Sequence, residues 1–416
     1  SKRQIFRSWM AFGEILRMLS KTQVVIAGAG PVGCVSALIL ARAGISVCIL
    51  EAEADLIPEL RASTFHPPTL DMLDKLGITP KLIEQGLITP KLQYRDLEEG
   101  LIAEFDHSII SDHTDHPYRL QCEQFKLTRV VEGLLEEYSN AEILYSSKFV
   151  NASQTEDKVV VSYDTSTGQN NIECDYLIGT DGSRSAVRKS QDIEFKGFTY
   201  PEQFVTVSVP EEIDSIVTNM GHVSYISHPT EWCALIHAPD YWRFLFPIEM
   251  EMSKEEAFKD EFIQKRLQKI APFKGKYTIQ LRTLYGVNQR VAESYRLGRI
   301  LLAGDSAHVN NPLGGMGMNG GIHDGVNLSE KLIDIYNNGA SEDLLDLYDR
   351  QRRPIAIEYV QAQTIRNKKN LEERDPNIRK QRQDELRAMT DNLEKSREML
   401  LQSSMINSLE RSANIQ

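Results

Sequence analysis

The stretch Gln23-Val24-Val25-Ile26-Ala27-Gly28-Ala29-Gly30-Pro31-Val32-Gly33 decides how this chain folds. Residues 23–27 form a short apolar run of the kind that makes a buried strand, and the small apolar residues 32–42 predict a buried helix. Three glycines separate the two. They permit a tight turn, close approach of backbone to a pyrophosphate and close packing of helix on strand, while the helix N-terminus lends partial positive charge. Gly44 stands where the helix should end, in a conformation that glycine adopts without strain. Residues 46–50 are a second apolar run that delivers Glu51, a carboxylate placed to accept ribose hydroxyls. The pattern predicts a β-α-β unit that binds a dinucleotide through Gly28, Gly30, Gly33 and Glu51; the alternative is a merely tight strand-to-helix turn.

Outward from this unit, residues 67–77 and 124–138 read as helices, and residues 158–163 and 172–178 as strands joined across a polar turn that begins at Thr165. Residues 204–248 change to strand-like stretches punctuated at Pro210, His228-Pro229 and Pro239-Asp240, the pattern of a sheet-based domain. Residues 253–270 are charged and helical, residues 299–303 form another buried strand, and the glycine-rich segment 312–325 opens a helix running to Tyr336. Ser341 can cap the next helix, which carries Leu344, Leu345, Leu347 and Tyr348. Residues 351–416 are mostly charged, carry no strand signal and read as a long helix folded back on the body, with a homodimer contact among its uses.

Length and composition bound the function. A chain of 416 residues with 41% hydrophobic content supports more than one domain, and a net charge of -12 excludes a nucleic-acid partner, whose phosphates demand a basic surface. The five cysteines are scattered, with no Cys-x-x-Cys pair, which fits packing roles in a reducing cytoplasm and gives no metal site. No window approaches 18 apolar residues, so no membrane-spanning helix is expected. Residues 1–21 carry Lys2, Arg3, Arg7, Arg17 and Lys21 against Glu14, with Ile5, Trp9, Phe12, Leu16 and Leu19 at helical spacing. Such a basic amphipathic helix can dock on the domain, which we favour, or lie on a membrane surface through residues 1–20.

Two further segments specify the nucleotide. Residues 174–183 are an apolar strand that delivers Asp181-Gly182 onto a turn, and residues 299–308 are another that ends in Gly304-Asp305. Together with the glycine turn, these segments resemble the flavoprotein monooxygenases that include para-hydroxybenzoate hydroxylase and the hydroxyphenylpropionate hydroxylases, over roughly residues 23–362. The resemblance implies an α/β fold: a Rossmann-like FAD-binding domain interleaved with a β-sheet substrate domain, plus C-terminal helices. It divides the chain into the N-terminal helix (1–21), a first part of the FAD-binding domain with inserted substrate-domain strands (22–195), the substrate sheet (196–285), the last part of the FAD-binding domain (286–350) and the helical region (351–416).

Residue by residue, the resemblance places Gly28, Gly30 and Gly33 at the pyrophosphate, Glu51 at the ribose, and Arg61 and Gln124 on FAD. It places Asp181 between FAD and the nicotinamide cofactor, and Gly304 and Asp305 at the ribityl chain. In the glycine-rich loop, Pro312 falls near the reacting ring, while Gly317 and the amides of Met318 and Asn319 face the flavin pyrimidine, where N–H groups stabilise negative charge. Met316 stands where the best-studied hydroxylase has a lysine. Arg243 resembles a sheet-domain arginine that favours the anionic flavin, and Arg184 and Arg188 can meet nicotinamide phosphates or pair structurally. His308 fits a loop-supporting role better than that of a base.

The implied activity is hydroxylation of a phenolic or N-heteroaromatic small molecule through a flavin C4a-hydroperoxide, with NADH or NADPH as electron donor and O₂ as co-substrate. Tyr225, His237 and Tyr241 are candidates for the base or relay that activates the substrate, with His222 and Trp232 as pocket lining. The alternatives are another flavin reaction on the same fold, such as a quinone-pathway hydroxylase, epoxidase or reductase, and a flavin-binding protein without oxygenase activity.

Overall fold

The computed structural model describes residues 21–56 and 62–416, so the expected N-terminal helix and Arg61 lie outside the described residues. Two large sheets organise the molecule. The first has six strands in the order Arg296–Leu297, Ile300–Leu302, Tyr176–Gly179, Val24–Ala27, Val47–Leu50 and Ala141–Leu144. All pairs are parallel except the one at the Arg296–Leu297 edge. Strand Val24–Ala27 is wholly buried at its centre, as a continuous apolar run in a parallel sheet should be. Its helix, Pro31–Arg42, packs against a second long helix, Gly317–Asn338. The hairpin Val159–Thr165/Gly168–Cys174 and strand Lys148–Gln154 join the same apolar core.

The second sheet has eight strands: His308–Val309, Leu281–Ala292, Phe195–Val209, Tyr241–Glu249, Cys233–Ala238, Val223–Ser227, Lys91–Asp96 and Gly100–Asp106. Alternation along these strands gives it two different faces. Val205, Val207, Trp242, Phe244, Phe246 and Leu235 pack against Ile263 and Leu267 of helix Asp260–Ile270. The opposite residues, Phe204, Leu245, Ala234 and Tyr225, cluster with Trp232, with Leu313 of the glycine loop and with Leu371. One face is thus sealed by a helix, and the other meets the glycine loop.

Two expectations need revision. Strand Leu281–Ala292 runs continuously through the expected boundary at 285/286, pairing with Phe195–Val209 over most of its length. The tail is a series of helices and not one: Asp343–Ile355, a π-helical turn at Ala356–Gln361, then Ala362–Leu371, Pro376–Thr390, Leu393–Ser403 and Ile406–Ala413. Local chemistry sets the breaks. Pro354 removes a helical donor just before the π turn, Asp375 caps the helix that Pro376 opens, and Asn392 caps the next. Met405 then turns the chain with a left-handed φ of 68°. The tail is tied to the sheet by Arg379 and Gln383 on Asp96 (2.8 and 3.1 Å) and to the turn that follows its last strand by Arg397 on Asp112.

The two long helices approach closely because of glycine. A Cβ on Gly321 would lie 2.8 Å from Val32 Cγ2 and 2.9 Å from Gly304 Cα, and one on Gly325 would lie 2.6 Å from Ser36 Oγ. Gly321→Ala is therefore expected to force the helix away from the Gly304 turn and to cost about 1–3 kcal/mol, read as a lower melting midpoint of the FAD-free protein. An unchanged midpoint would mean the helices separate without penalty.

Candidate active site

A cleft of about 360 Å³ opens at the carboxyl ends of the parallel strands, lined by the Gly28–Pro31 turn, Glu51, Gln124, Asp181 and Arg184 among others. Gly28 has φ 103°, and a Cβ there would lie 2.7 Å from Thr180 O; a Cβ on Gly33 would lie 2.1 Å from Gly28 O. Both glycines serve close backbone packing. Gly30 differs: its φ of -71° suits any residue, and its Cβ position has no atom within 4 Å. No side chain caps the helix that starts at Pro31, so its first N–H groups point towards the cleft's mouth without a side-chain acceptor. This cradle fits the diphosphate of a dinucleotide such as FAD.

Glu51 holds the turn from beneath, accepting the Ala29 N–H at 2.8 Å and the Glu53 N–H at 3.0 Å. Gln124 begins helix Gln124–Leu135, and its N–H donates to Ala62 O. The Asp181 carboxylate accepts the N–H groups of Ala186 (2.7 Å) and Val187 (3.0 Å) and thereby caps the short helix Ala186–Ser190. The two arginines beyond it part company. Arg184 is exposed on the cleft, whereas Arg188 is buried, donating to Ser306 O (2.7 Å) and Ser183 O (2.9 Å) over the Phe195 ring. Arg188 is a strut between the two turns.

The Gly304–Ser306 turn is fixed by Asp324, which is 1% exposed. Its Oδ2 accepts from His308 Nε2 at 2.8 Å and from the Gly304 N–H at 3.2 Å, and its Oδ1 from Arg352 Nε at 2.7 Å. Burial works against the charge, but Arg352 and His308 outweigh it and hold the carboxyl below its ordinary range. His308 thus supports the loop, and Asp305 beside it faces solvent at the end of its strand.

The loop from Pro312 to Gly317 is braced on every side. The Gly315 N–H closes a turn on Pro312 O, with Gly314 at φ 110° and Gly315 at φ 66°. Asn311 donates to Thr364 O, and Asn367 donates to Leu313 O. His66 Nε2 lies 2.8 Å from Gly314 O, so that nitrogen carries the hydrogen. The Asn319 side chain accepts the His66 N–H and donates to Thr64 O and Gly315 O. Helix Gly317–Asn338 has no side-chain cap either, so the N–H groups of Gly317, Met318 and Asn319 stand at an open helix start beside the loop.

Beyond the loop lies the open face of the eight-stranded sheet. Arg243 is 5% exposed and donates to Tyr241 O–H at 2.9 Å. Register places Arg243 on the face of Leu245 and Ala234, and Tyr225 opposite Ala234. Arg243, Tyr225 and Trp232 therefore share the loop side with half-buried Pro312. His237 does not: it pairs with Trp242, stacks on that ring at 4.3 Å and 8°, and lies 4.8 Å from His222 on the helix-covered face. The one-residue alternation that separates the faces takes both histidines away from the loop, so His237 is not placed to act there as a base. Asp324, Arg352, His66 and Asn311 escaped the sequence reading because their roles come from contacts more than 15 residues away in the chain.

With this geometry, comparison with known proteins is direct. Residues 21–363 match the family model described as FAD binding domain. The chain belongs to this family. It is 33% identical over 358 residues to para-nitrophenol 4-monooxygenase of Pseudomonas sp. (strain WBC-3), covering 85% of this chain and 88% of that protein. It is 31% identical to 6-hydroxy-3-succinoylpyridine 3-monooxygenase HspB of Pseudomonas putida (strain DSM 28022 / S16), covering 86% and 91%. The crystal structure of p-nitrophenol 4-monooxygenase PnpA from Pseudomonas putida DLL-E4 superposes with a TM-score of 0.89 at 29% identity, over 94% of this chain and 98% of that one. The protein is an FAD-dependent monooxygenase of the single-component aromatic-hydroxylase type.

Two outcomes follow from the site. Gly30→Val is expected to leave the melting midpoint of the FAD-free protein unchanged, because the new side chain meets only open space, while weakening FAD binding at least about tenfold in a flavin titration. Equal FAD affinity would remove Gly30 from the binding surface. The second concerns pH. Burial depresses His66 well below the imidazole range, with Arg119 adding to it; burial takes His107 to about 4 and His323 to about 3. In the unfolded chain these rings titrate near about 6.5. Below that pH the unfolded state binds protons that the folded state refuses. Stability is thus complete above about 6.5 and falls on acidification, by up to about 1.4 kcal/mol per pH unit for each ring. His323→Asn is expected to flatten the fall in urea-unfolding midpoint; an identical slope in the variant would contradict the assignment.

Proposed function

We propose that this protein hydroxylates a small phenolic or N-heteroaromatic compound, using NADH or NADPH as electron donor and O₂ as co-substrate. The observation that carries the reading is the Pro312–Gly317 loop, held by His66 and packed through Leu313 against the apolar, tyrosine-bearing face of the large sheet, in a chain that also forms the glycine-turn cleft. Relatives that span most of the chain are monooxygenases of a nitrophenol and of a hydroxypyridine, which supports a ring substrate with an electron-donating hydroxyl.

FAD, when bound, supplies the activated oxygen. The chain's own groups hold and position it: Gly28, Gly30 and Gly33 at the diphosphate, Glu51 at the ribose, Arg61, Gln124 and Asp181 along its length, and Gly304 and Asp305 at the ribityl chain. The N–H groups of Gly317, Met318 and Asn319 hold negative charge at the pyrimidine end, where an open helix start offers donors that need no reorganisation. Arg243 adds a fixed positive charge from the sheet. Pro312 and the cluster of Phe204, Trp232 and Leu245 exclude water from the ring. Tyr225, whose ring centroid lies 5.9 Å from that of Tyr94, stands on the same face, and its hydroxyl is the best-placed relay for a substrate proton. All five cysteines are free and buried, in keeping with work in the cytoplasm.

The test is oxidation of NADH and NADPH by the FAD-loaded protein across phenolic and N-heteroaromatic compounds, with hydroxylated product and hydrogen peroxide measured together. Substrate-stimulated oxidation with equimolar product is expected for one class. Peroxide without product from every compound would overturn the reading.

A further inference from the structure

Arg119 is 1% exposed, yet its side chain makes no hydrogen bond or ion pair with any described residue, and its Nε and Nη1 are buried without partners. A guanidinium taken out of water is costly unless it is paired, and buried arginines elsewhere in this chain obey that rule: Arg352 meets Asp324, and Arg188 meets two carbonyls. Arg119 meets no carboxylate among the described residues.

Its position gives the charge a purpose. Arg119 begins strand Arg119–Gln121, which pairs with Leu87–Thr89 and Thr64–Phe65 in a small antiparallel sheet. Register places Thr89 opposite Arg119 and Thr64 opposite Gln121, so these four side chains share one face. That face abuts the glycine loop: Thr64 Cβ lies 3.2 Å from the Cβ position of Gly315, and His66, the next residue but one, holds Gly314 O. Across from it, the Arg119 charge acts on Tyr94, the neighbour of Tyr225 on the substrate side of the large sheet.

Other unpartnered polar atoms belong to the same neighbourhood. His107 Nδ1 donates to Pro90 O at 2.7 Å, which leaves Nε2 as a bare acceptor; His66 Nε2 donates to Gly314 O, which leaves Nδ1 bare. Thr89 Oγ1 and Gln121 Nε2 are also buried without partners. Burial holds both imidazoles neutral, and the Arg119 charge adds to it. Donors and acceptors left open together, between loop and sheet, are the mark of a site that a ligand completes.

We propose that Arg119 is the residue that binds the anionic oxygen of the ring substrate, a phenolate or carboxylate, and so selects charged over neutral rings. This rests on the ring-hydroxylase reading above. The planar fork of the guanidinium suits an oxyanion, and the neutral His66 and His107 add no second charge beside it.

The experiment uses the FAD-loaded protein with 4-nitrophenol, at a pH above its ionisation, and with its methyl ether 4-nitroanisole, each titrated by the change in flavin absorbance. In Arg119→Met, phenolate binding is expected to weaken on the order of 10- to 100-fold, while ether binding is little changed. Arg119→Lys, which keeps the charge without the fork, should fall between. The ligand-free Arg119→Met protein should also melt a few degrees higher than wild type, since an unpaired buried charge gives way to an apolar chain of similar length; a structural arginine would do the opposite. Equal loss of phenolate and ether, loss of FAD, or a lower melting midpoint would overturn the proposal. If wild type binds neither probe, the substrate reading is the one that fails, and the sign of the melting shift still decides for or against Arg119.

Discussion

One buried carboxylate organises the site. Asp324 sits inside helix Gly317–Asn338, accepts from His308 on one side and Arg352 on the other, and takes the Gly304 N–H as a third donor. These bonds join a strand end, a turn and two helices that lie far apart in the chain. Removing one partner of such a group leaves an uncompensated charge in the interior, at a cost of about 3–5 kcal/mol. The position of Asp305 at the mouth of its strand, and the angle at which the glycine loop leaves the helix, both depend on this arrangement.

Steric closeness is the second constraint, and it acts with the first. Asp324 can reach Gly304 only because Gly321 lets the helix touch the turn, with Val32 of the nucleotide helix as the third body in contact. Glycine here supplies nearness. The same reasoning separates the glycines of the nucleotide turn, where Gly28 and Gly33 are packed against backbone and Gly30 alone faces open space. A motif that reads as one unit in sequence thus divides into two glycines that hold the turn and one that faces the open cleft.

The elements legible in the sequence were those set by local pattern. The β-α-β unit, the strands between Pro210, His228-Pro229 and Pro239-Asp240, and the helix opened by the glycine loop all appear within a few residues of their expected places. Composition and spacing could not show on which face a strand residue lies when the strand is apolar throughout. Tyr225 and His237 look alike in sequence, each an aromatic polar residue on a short strand, yet one meets the loop and the other stacks on Trp242 behind the sheet. The tail misled for the opposite reason. Its helical propensity is real, but Asp375, Asn392 and the left-handed Met405 cut it into segments short enough to wrap round the sheet edge and hold Asp96 and Asp112.

Buried charge divides the same way between structure and function. Arg188, Arg352 and Arg119 are all almost fully enclosed, and fractional exposure does not tell them apart. What differs is the inventory of side-chain partners among the described residues: two carbonyls for the first, a carboxylate for the second, none for the third. A fold gains nothing from an unpaired interior charge, since an apolar residue of the same size would pack there at lower cost. Such a group persists where something outside the chain completes it. The unpaired atoms around Arg119 lie next to the glycine loop that His66 and Thr64 brace, the side on which we propose that the reacting ring is placed.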